Sequence, residues 1–82
     1  SRPMPYAPTI APSAEQSIVL LRLPEVQRRT GLSRSSIYAK IARAEFVRPV
    51  RLGPNSVAWS EPEIISWIAD RLAERDSVQA IA

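Results

Sequence analysis

The stretch Leu23-Pro24-Glu25-Val26-Gln27-Arg28-Arg29-Thr30-Gly31-Leu32-Ser33-Arg34-Ser35-Ser36-Ile37-Tyr38-Ala39-Lys40-Ile41 reads as two short helices joined by a tight turn. Pro24 suits the first turn of a helix, where its missing N–H removes no hydrogen bond. Gly31 falls where a helix stops in a left-handed residue, a conformation that a missing Cβ makes easy. Leu32 then turns inward. Ser33 is an N-cap whose hydroxyl satisfies a free N–H of the next helix. The first helix is expected to end near Thr30, and the second to span residues 34–44. A second helix that opens on exposed Arg34, Ser35 and Ser36 offers donors to a DNA groove. This is a helix-turn-helix pattern.

At about 100° per residue, Ile37 and Ile41 share one face of the second helix, with Tyr38 beside them on the core side. Ser35, Ala39 and Arg43 lie opposite, flanked by Ser36 and Ala42. Arg34 and Lys40 border the apolar stripe with stems long enough to reach outward. Ala39 is small enough to let a backbone approach bases closely, and equally reads as a helix-favouring surface alanine.

Residues 46–60 change from helical to alternating periodicity. Val50 and Leu52 flank Arg51, and Val57 and Trp59 flank Ala58, around the turn Gly53-Pro54-Asn55-Ser56. That pattern predicts a β-hairpin. Pro49 removes one ladder donor and favours an edge or a loose strand start. A basic hairpin directly after a recognition helix occupies the place of a wing.

Ser60-Glu61-Pro62-Glu63 is a helix start, with Ser60 as N-cap and Glu63 closing a capping box. Ile64, Trp67, Ile68 and Leu72 follow at helical spacing, and Trp59 and Trp67 read as core anchors. Upstream, residues 17–22 form a short apolar run expected as a buried strand. The expected organisation is a proline-rich arm over residues 1–16, a winged helix-turn-helix over 17–76 and a tail over 77–82. In class this is a mainly α fold with a small β-hairpin.

The formal net charge of +3 is unevenly distributed. Residues 22–51 hold eight cations (Arg22, Arg28, Arg29, Arg34, Lys40, Arg43, Arg48, Arg51) against Glu25 and Glu45. The region after Ser60 is acidic. The positive field therefore lies on the half with the helix-turn-helix and hairpin, where a polyanion docks. With no Cys and no His, disulfides, thiolate metal sites and the usual zinc and general-base chemistry are absent. No nucleophile–base pair, carboxylate pocket or phosphate-cradling glycine loop is visible, so neither catalysis nor a cofactor is expected. The longest apolar runs fall far short of the ~20 residues of a membrane span. The expectation from composition is a small soluble intracellular domain.

The ordered series Arg22-Leu23-Pro24-Glu25-Val26, Arg29-Thr30-Gly31-Leu32-Ser33-Arg34-Ser35-Ser36-Ile37-Tyr38, Phe46, Pro49-Val50-Arg51-Leu52-Gly53, Val57-Ala58-Trp59 and residues 63–67 resembles the AlpA family of small phage-type regulators. These are relatives of excisionases and of the MerR-type winged helix. The chain departs from the family where the turn after the second helix, usually glycine-rich, reads Arg43-Ala44-Glu45. The resemblance implies a DNA-binding winged helix of the bacterial cytoplasm, associated with the nucleoid, that controls a mobile element as transcription regulator, excisionase (recombination directionality factor) or both.

Combined with the residues, this reading places Arg34, Ser35, Ser36 and Ala39 in a major groove of double-stranded DNA. Lys40, Arg43, Arg28 and Arg29 hold phosphates, and the wing reaches the backbone or minor groove through Arg48, Arg51, Asn55 and Ser56. For Arg34, bidentate reading of a guanine and clamping of a phosphate both stand open. A module this small buries about 600–1,000 Å² of protein surface on DNA, little for tight specific binding alone. Cooperative binding with bending, beside a site-specific integrase, answers that shortfall and favours the excisionase role. The alternatives are an activator at one promoter and, from another class, a protein-interaction adaptor. In the tail, Val78 and Ile81 are either a frayed end or a head-to-tail contact between copies.

Overall fold

The computed structural model describes residues 18–81, with side chains described for residues 18–77. The proline-rich arm expected over residues 1–16 lies outside the described residues. In chain order the elements are β1 (Leu20–Leu21), α1 (Leu23–Thr30), α2 (Arg34–Ala42), β2 (Val50–Gly53), β3 (Ser56–Ser60) and α3 (Glu61–Ile81). The sheet has the order β1-β3-β2 and both pairings are antiparallel, with Leu21 opposite Trp59 and Arg51 opposite Val57. Two helices, a hairpin and a closing helix make a winged helix-turn-helix.

The turn between α1 and α2 forms for the local reasons visible in the chain. Gly31 is left-handed, with φ 76°, and its N–H donates to the Gln27 carbonyl at 2.8 Å. The Thr30 hydroxyl donates to the Val26 carbonyl at 2.8 Å and accepts the Leu32 N–H at 3.2 Å, so the turn is satisfied from within. Ser33 caps α2, its hydroxyl accepting the Ser36 N–H at 3.1 Å.

The largest fully buried side chains come one from each larger element: Val26 of α1, Ile37 of α2, Trp59 of β3 and Ile64 of α3. Leu21 and Phe46 complete the buried cluster. Burial of each such side chain stabilises the fold by about 1.5–3 kcal/mol relative to exposure. Both tryptophans also carry a polar tie. Trp59 Nε1–H donates to the Val47 carbonyl and Trp67 Nε1–H to the Glu45 carbonyl, each at 3.0 Å. The second tie, with Phe46 edge-on to Trp67 at 4.8 Å, anchors α3 to the segment after α2.

Five local expectations are corrected. First, α2 ends at Ala42 rather than Ala44, because Ala44 adopts φ 61° and closes the helix. Glu45 N–H donates to the Lys40 carbonyl at 2.7 Å and Ala44 N–H to the Ile41 carbonyl at 3.0 Å. This is the two-bond closure that glycine usually makes. Second, the strand near residues 17–22 is paired only at Leu20 and Leu21, and only Leu21 is buried; Ile18, Val19 and Leu20 are exposed. Third, α3 continues to Ile81, so residues 77–81 extend the helix instead of leaving it as a tail. Leu72 is exposed on this helix, although its spacing matches the core-facing residues. Fourth, no Ser60–Glu63 capping bond is present among the described residues; the Glu61 N–H is taken by the Val19 carbonyl at 2.8 Å. Fifth, Tyr38 is 37% exposed rather than enclosed by the core.

The left-handed alanine supports a direct test. An L-residue with a Cβ is strained there by roughly 1–2 kcal/mol, partly offset by the greater freedom a glycine has when unfolded. Ala44→Gly is therefore expected to stabilise the domain by about 0.5–1 kcal/mol, a rise of several degrees in Tm. A lowered Tm would show that the left-handed strain at Ala44 is not what limits this turn.

Candidate nucleic-acid interface

Three elements meet on one side of the molecule: the N-terminal end of α1, the N-terminal end of α2 and the hairpin tip. Arg34, Ser35, Ser36 and Ala39 are exposed along α2, and Lys40 is half-buried beside them. Ser36 has part of its capacity committed, since the Ser33 hydroxyl donates to its Oγ at 3.1 Å. In the hairpin, Pro54 and Asn55 form the turn, with Asn55 exposed and Ser56 half-buried as the first residue of β3. Arg48 and Arg51 are exposed before and within β2. The backbones of Val78 and Ile81 lie in the last turns of α3, and their side chains are outside the described residues.

The cations divide into two groups. Glu25 receives Arg28 through Nε at 3.0 Å and Nη2 at 2.6 Å, and Arg29 through Nε at 2.8 Å. Arg29 also reaches Glu61 at 2.9 Å, which links α1 to the start of α3. Arg43 pairs with Glu45 at 3.1 Å. By contrast, none of Arg22, Arg34, Lys40, Arg48 and Arg51 forms an ion pair with a carboxylate among the described residues. These five are the cations whose charge is not answered within the fold. The pairs of Arg28 and Arg29 with Glu25 and of Arg43 with Glu45 span two to four residues, whereas the link from Arg29 to Glu61 on α3 is distant in sequence.

The hydrogen bonds from Arg28 and then Arg29 hold the Glu25 carboxyl down to about 2, from an ordinary 4.5. A carboxyl depressed in the folded state contributes stability above its unfolded value and loses it as pH falls through the folded one. Tm is therefore expected to decline between about pH 4.5 and pH 2, and Glu25→Gln to remove part of that decline. Equal acid sensitivity in the variant would show that this arginine pair does not contribute. Added salt should weaken the effect, since the group is near solvent.

An open cleft of about 420 Å³ runs between these elements, bordered by Arg22, Pro24, Arg34, Tyr38, Asn55 and Val57. The Arg34 guanidinium lies over the Tyr38 ring, 5.5 Å from its centroid. Tyr38 in turn stands edge-on to Trp59 at 6.2 Å, so a core residue backs an exposed cation. Arg22 and Tyr38 were not picked out as site residues from the chain. The available signal was that Arg22 directly precedes the first helix and that Tyr38 follows Ile37 within the second, off its outward face.

Among the described residues no helix is long and apolar enough to cross a membrane, and no cluster of three or more potential metal ligands occurs.

Residues 19–72 match the family model described as prophage CP4-57 regulatory protein (AlpA). An uncharacterized protein, ORF88, of Enterobacteria phage P4 is 49% identical over 55 residues, covering 67% of this chain and 62% of the phage protein. The DNA-binding transcriptional activator AlpA of Escherichia coli K12 is 39% identical over 61 residues, covering 67% of this chain and 87% of the activator. The chain thus spans less than two thirds of the first of these relatives. No solved structure matches the chain significantly.

Proposed function

Because this chain belongs to the AlpA family of prophage regulatory proteins, we propose that it is a sequence-specific DNA-binding regulator of a mobile genetic element. The observation that carries this reading is the set of cations without a carboxylate partner among the described residues on α2, at the hairpin and at the start of α1, of which Arg22 and Arg34 border one cleft. The polar N-terminal end of α2 enters the major groove with Arg34, Ser35, Ser36 and Ala39, and Lys40 flanks it. Arg48 and Arg51, with Asn55 and Ser56 at the wing, hold the backbone beside it. Arg28, Arg29 and Arg43 have carboxylate partners to exchange before they can serve a phosphate, so their share is smaller.

Two roles fit such a module. As a transcriptional regulator it binds at a promoter; the Escherichia coli relative is a DNA-binding transcriptional activator. As an excisionase it binds cooperatively at an attachment site and bends it for a site-specific integrase. The modest surface of one such module favours repeated binding on DNA, and hence the second role beside the first. Val78 and Ile81, at the end of α3, are the proposed contact between neighbouring copies. A head-to-tail contact does not close on itself and would extend along DNA. Both roles place the protein with bacterial DNA in the cytoplasm.

The test is the salt dependence of binding. Five unanswered cations on five phosphates predict a slope of log K against log salt of roughly −4 to −5. A slope near zero would remove DNA as the main partner and favour the adaptor reading. Footprints on the element's promoters and attachment site then separate the two DNA roles. Truncation after Asp76 is expected to keep single-site binding and abolish ladder-like multimers on long DNA.

A further inference from the structure

We propose that the cleft between α1, α2 and the wing is a clamp for one phosphodiester segment of the DNA strand, with Arg22 and Arg34 as its paired phosphate contacts. The inference rests on the DNA-binding reading above and deepens it. The cleft's chemistry alternates as a sugar–phosphate chain does. Arg22, Arg34 and Asn55 border it together with Pro24 and Val57, and among the described residues no acidic residue borders it. Guanidinium forks suit phosphate oxygens, while apolar side chains suit the non-polar face of a deoxyribose.

Both arginines are positioned before any ligand arrives. Arg22 is the N-cap of α1, and its carbonyl accepts the Glu25 and Val26 N–H groups, each at 3.1 Å. The backbone from which its side chain springs is therefore pinned. Arg34 rests on Tyr38, which is braced edge-on against the fully buried Trp59. Tyr38 thus acts as a positioning residue for Arg34. On this proposal the Arg34 guanidinium, which lies over Tyr38, serves the backbone at the edge of the groove rather than a guanine edge within it.

The experiment measures binding of the full chain to a mixed-sequence duplex across salt concentrations. Each phosphate contact contributes about 0.9 to the slope, so Arg22→Ala and Arg34→Ala should each weaken binding roughly eightfold at 0.1 M salt. Each should also flatten the slope by about 1, with Arg22→Lys restoring most of it. Tyr38→Leu should reduce the contribution of Arg34 without abolishing that of Arg22. Arg75→Ala, on α3 outside the cleft, is expected to change nothing. The side chain of Arg22 is exposed and its anchoring bonds are backbone bonds, so Arg22→Ala should melt like the wild type.

An unchanged slope in Arg22→Ala, with a steep wild-type slope, would overturn the clamp and leave the DNA reading standing. A flat wild-type slope would overturn the DNA reading itself. Saturable binding of inorganic phosphate to the free protein, lost in Arg22→Ala while duplex binding is unaffected, would make the cleft a small-anion site and would also overturn the clamp.

Discussion

Trp59→Ala is expected to leave most of the protein unfolded near its normal working temperature. The indole is fully buried, lies at the centre of the cluster with Val26, Ile37 and Ile64, and is the middle strand's main contribution to the core. Truncating a buried tryptophan costs about 3–5 kcal/mol through lost burial and the cavity left behind. A domain with about 60 ordered residues has roughly 3–9 kcal/mol in total. The loss here includes the hydrogen bond to the Val47 carbonyl, and with it the edge contact that braces Tyr38. Thermal melting followed by circular dichroism checks the expectation. A variant that melts normally but no longer binds DNA would move Trp59 from core anchor to direct contact.

Ser35→Glu should have effects of opposite sign on stability and on binding. Ser35 is exposed in the first turn of α2, a turn without an acidic residue. A carboxylate there interacts favourably with the helix dipole and should leave Tm unchanged or raise it, by up to about 1 kcal/mol of stability. On DNA, the same charge faces phosphates and base edges without an answering cation from the ligand. Like charges brought together at an interface cost several kcal/mol, so affinity is expected to fall by about 100-fold or more. Melting and binding measured on one preparation separate the effects. Intact binding would mean that α2 does not enter the groove by this end, while reduced Tm would mean that Ser35 has a structural role. Ser35→Ala, a milder change, should weaken binding without altering the fold.

The family resemblance carried by the residue series was sound, and so was the general architecture: a helix-turn-helix followed by a hairpin and a helix. The candidate site is legible to the extent that exposure follows helical periodicity, which places Arg34, Ser35, Ser36 and Ala39 on the outside of α2. What periodicity does not carry is which cations are already paired. Arg28 pairs with Glu25 one turn away, a contact that helix spacing permits, whereas Arg29 reaches Glu61 across the fold. The same limit hid Arg22 and Tyr38, whose place at the cleft depends on where the wing folds back.

The sequence by itself determined what is decided within a few residues. Gly31 and Ser33 end one helix and begin the next because the backbone conformation and the capping bond are local. Pro54-Asn55 turns the hairpin, and alternation predicts two strands. Tertiary structure alone decided which apolar faces find a partner to pack against. In β2 the register sets Arg51 opposite Val57, yet Val50, Arg51 and Leu52 are all exposed. A period of two defines two faces without saying whether either meets a neighbour, and at this edge of the sheet neither does. Leu72 follows the same logic on α3: helical spacing puts it in line with Ile64 and Ile68, yet a stripe is buried only as far as there is something to pack against.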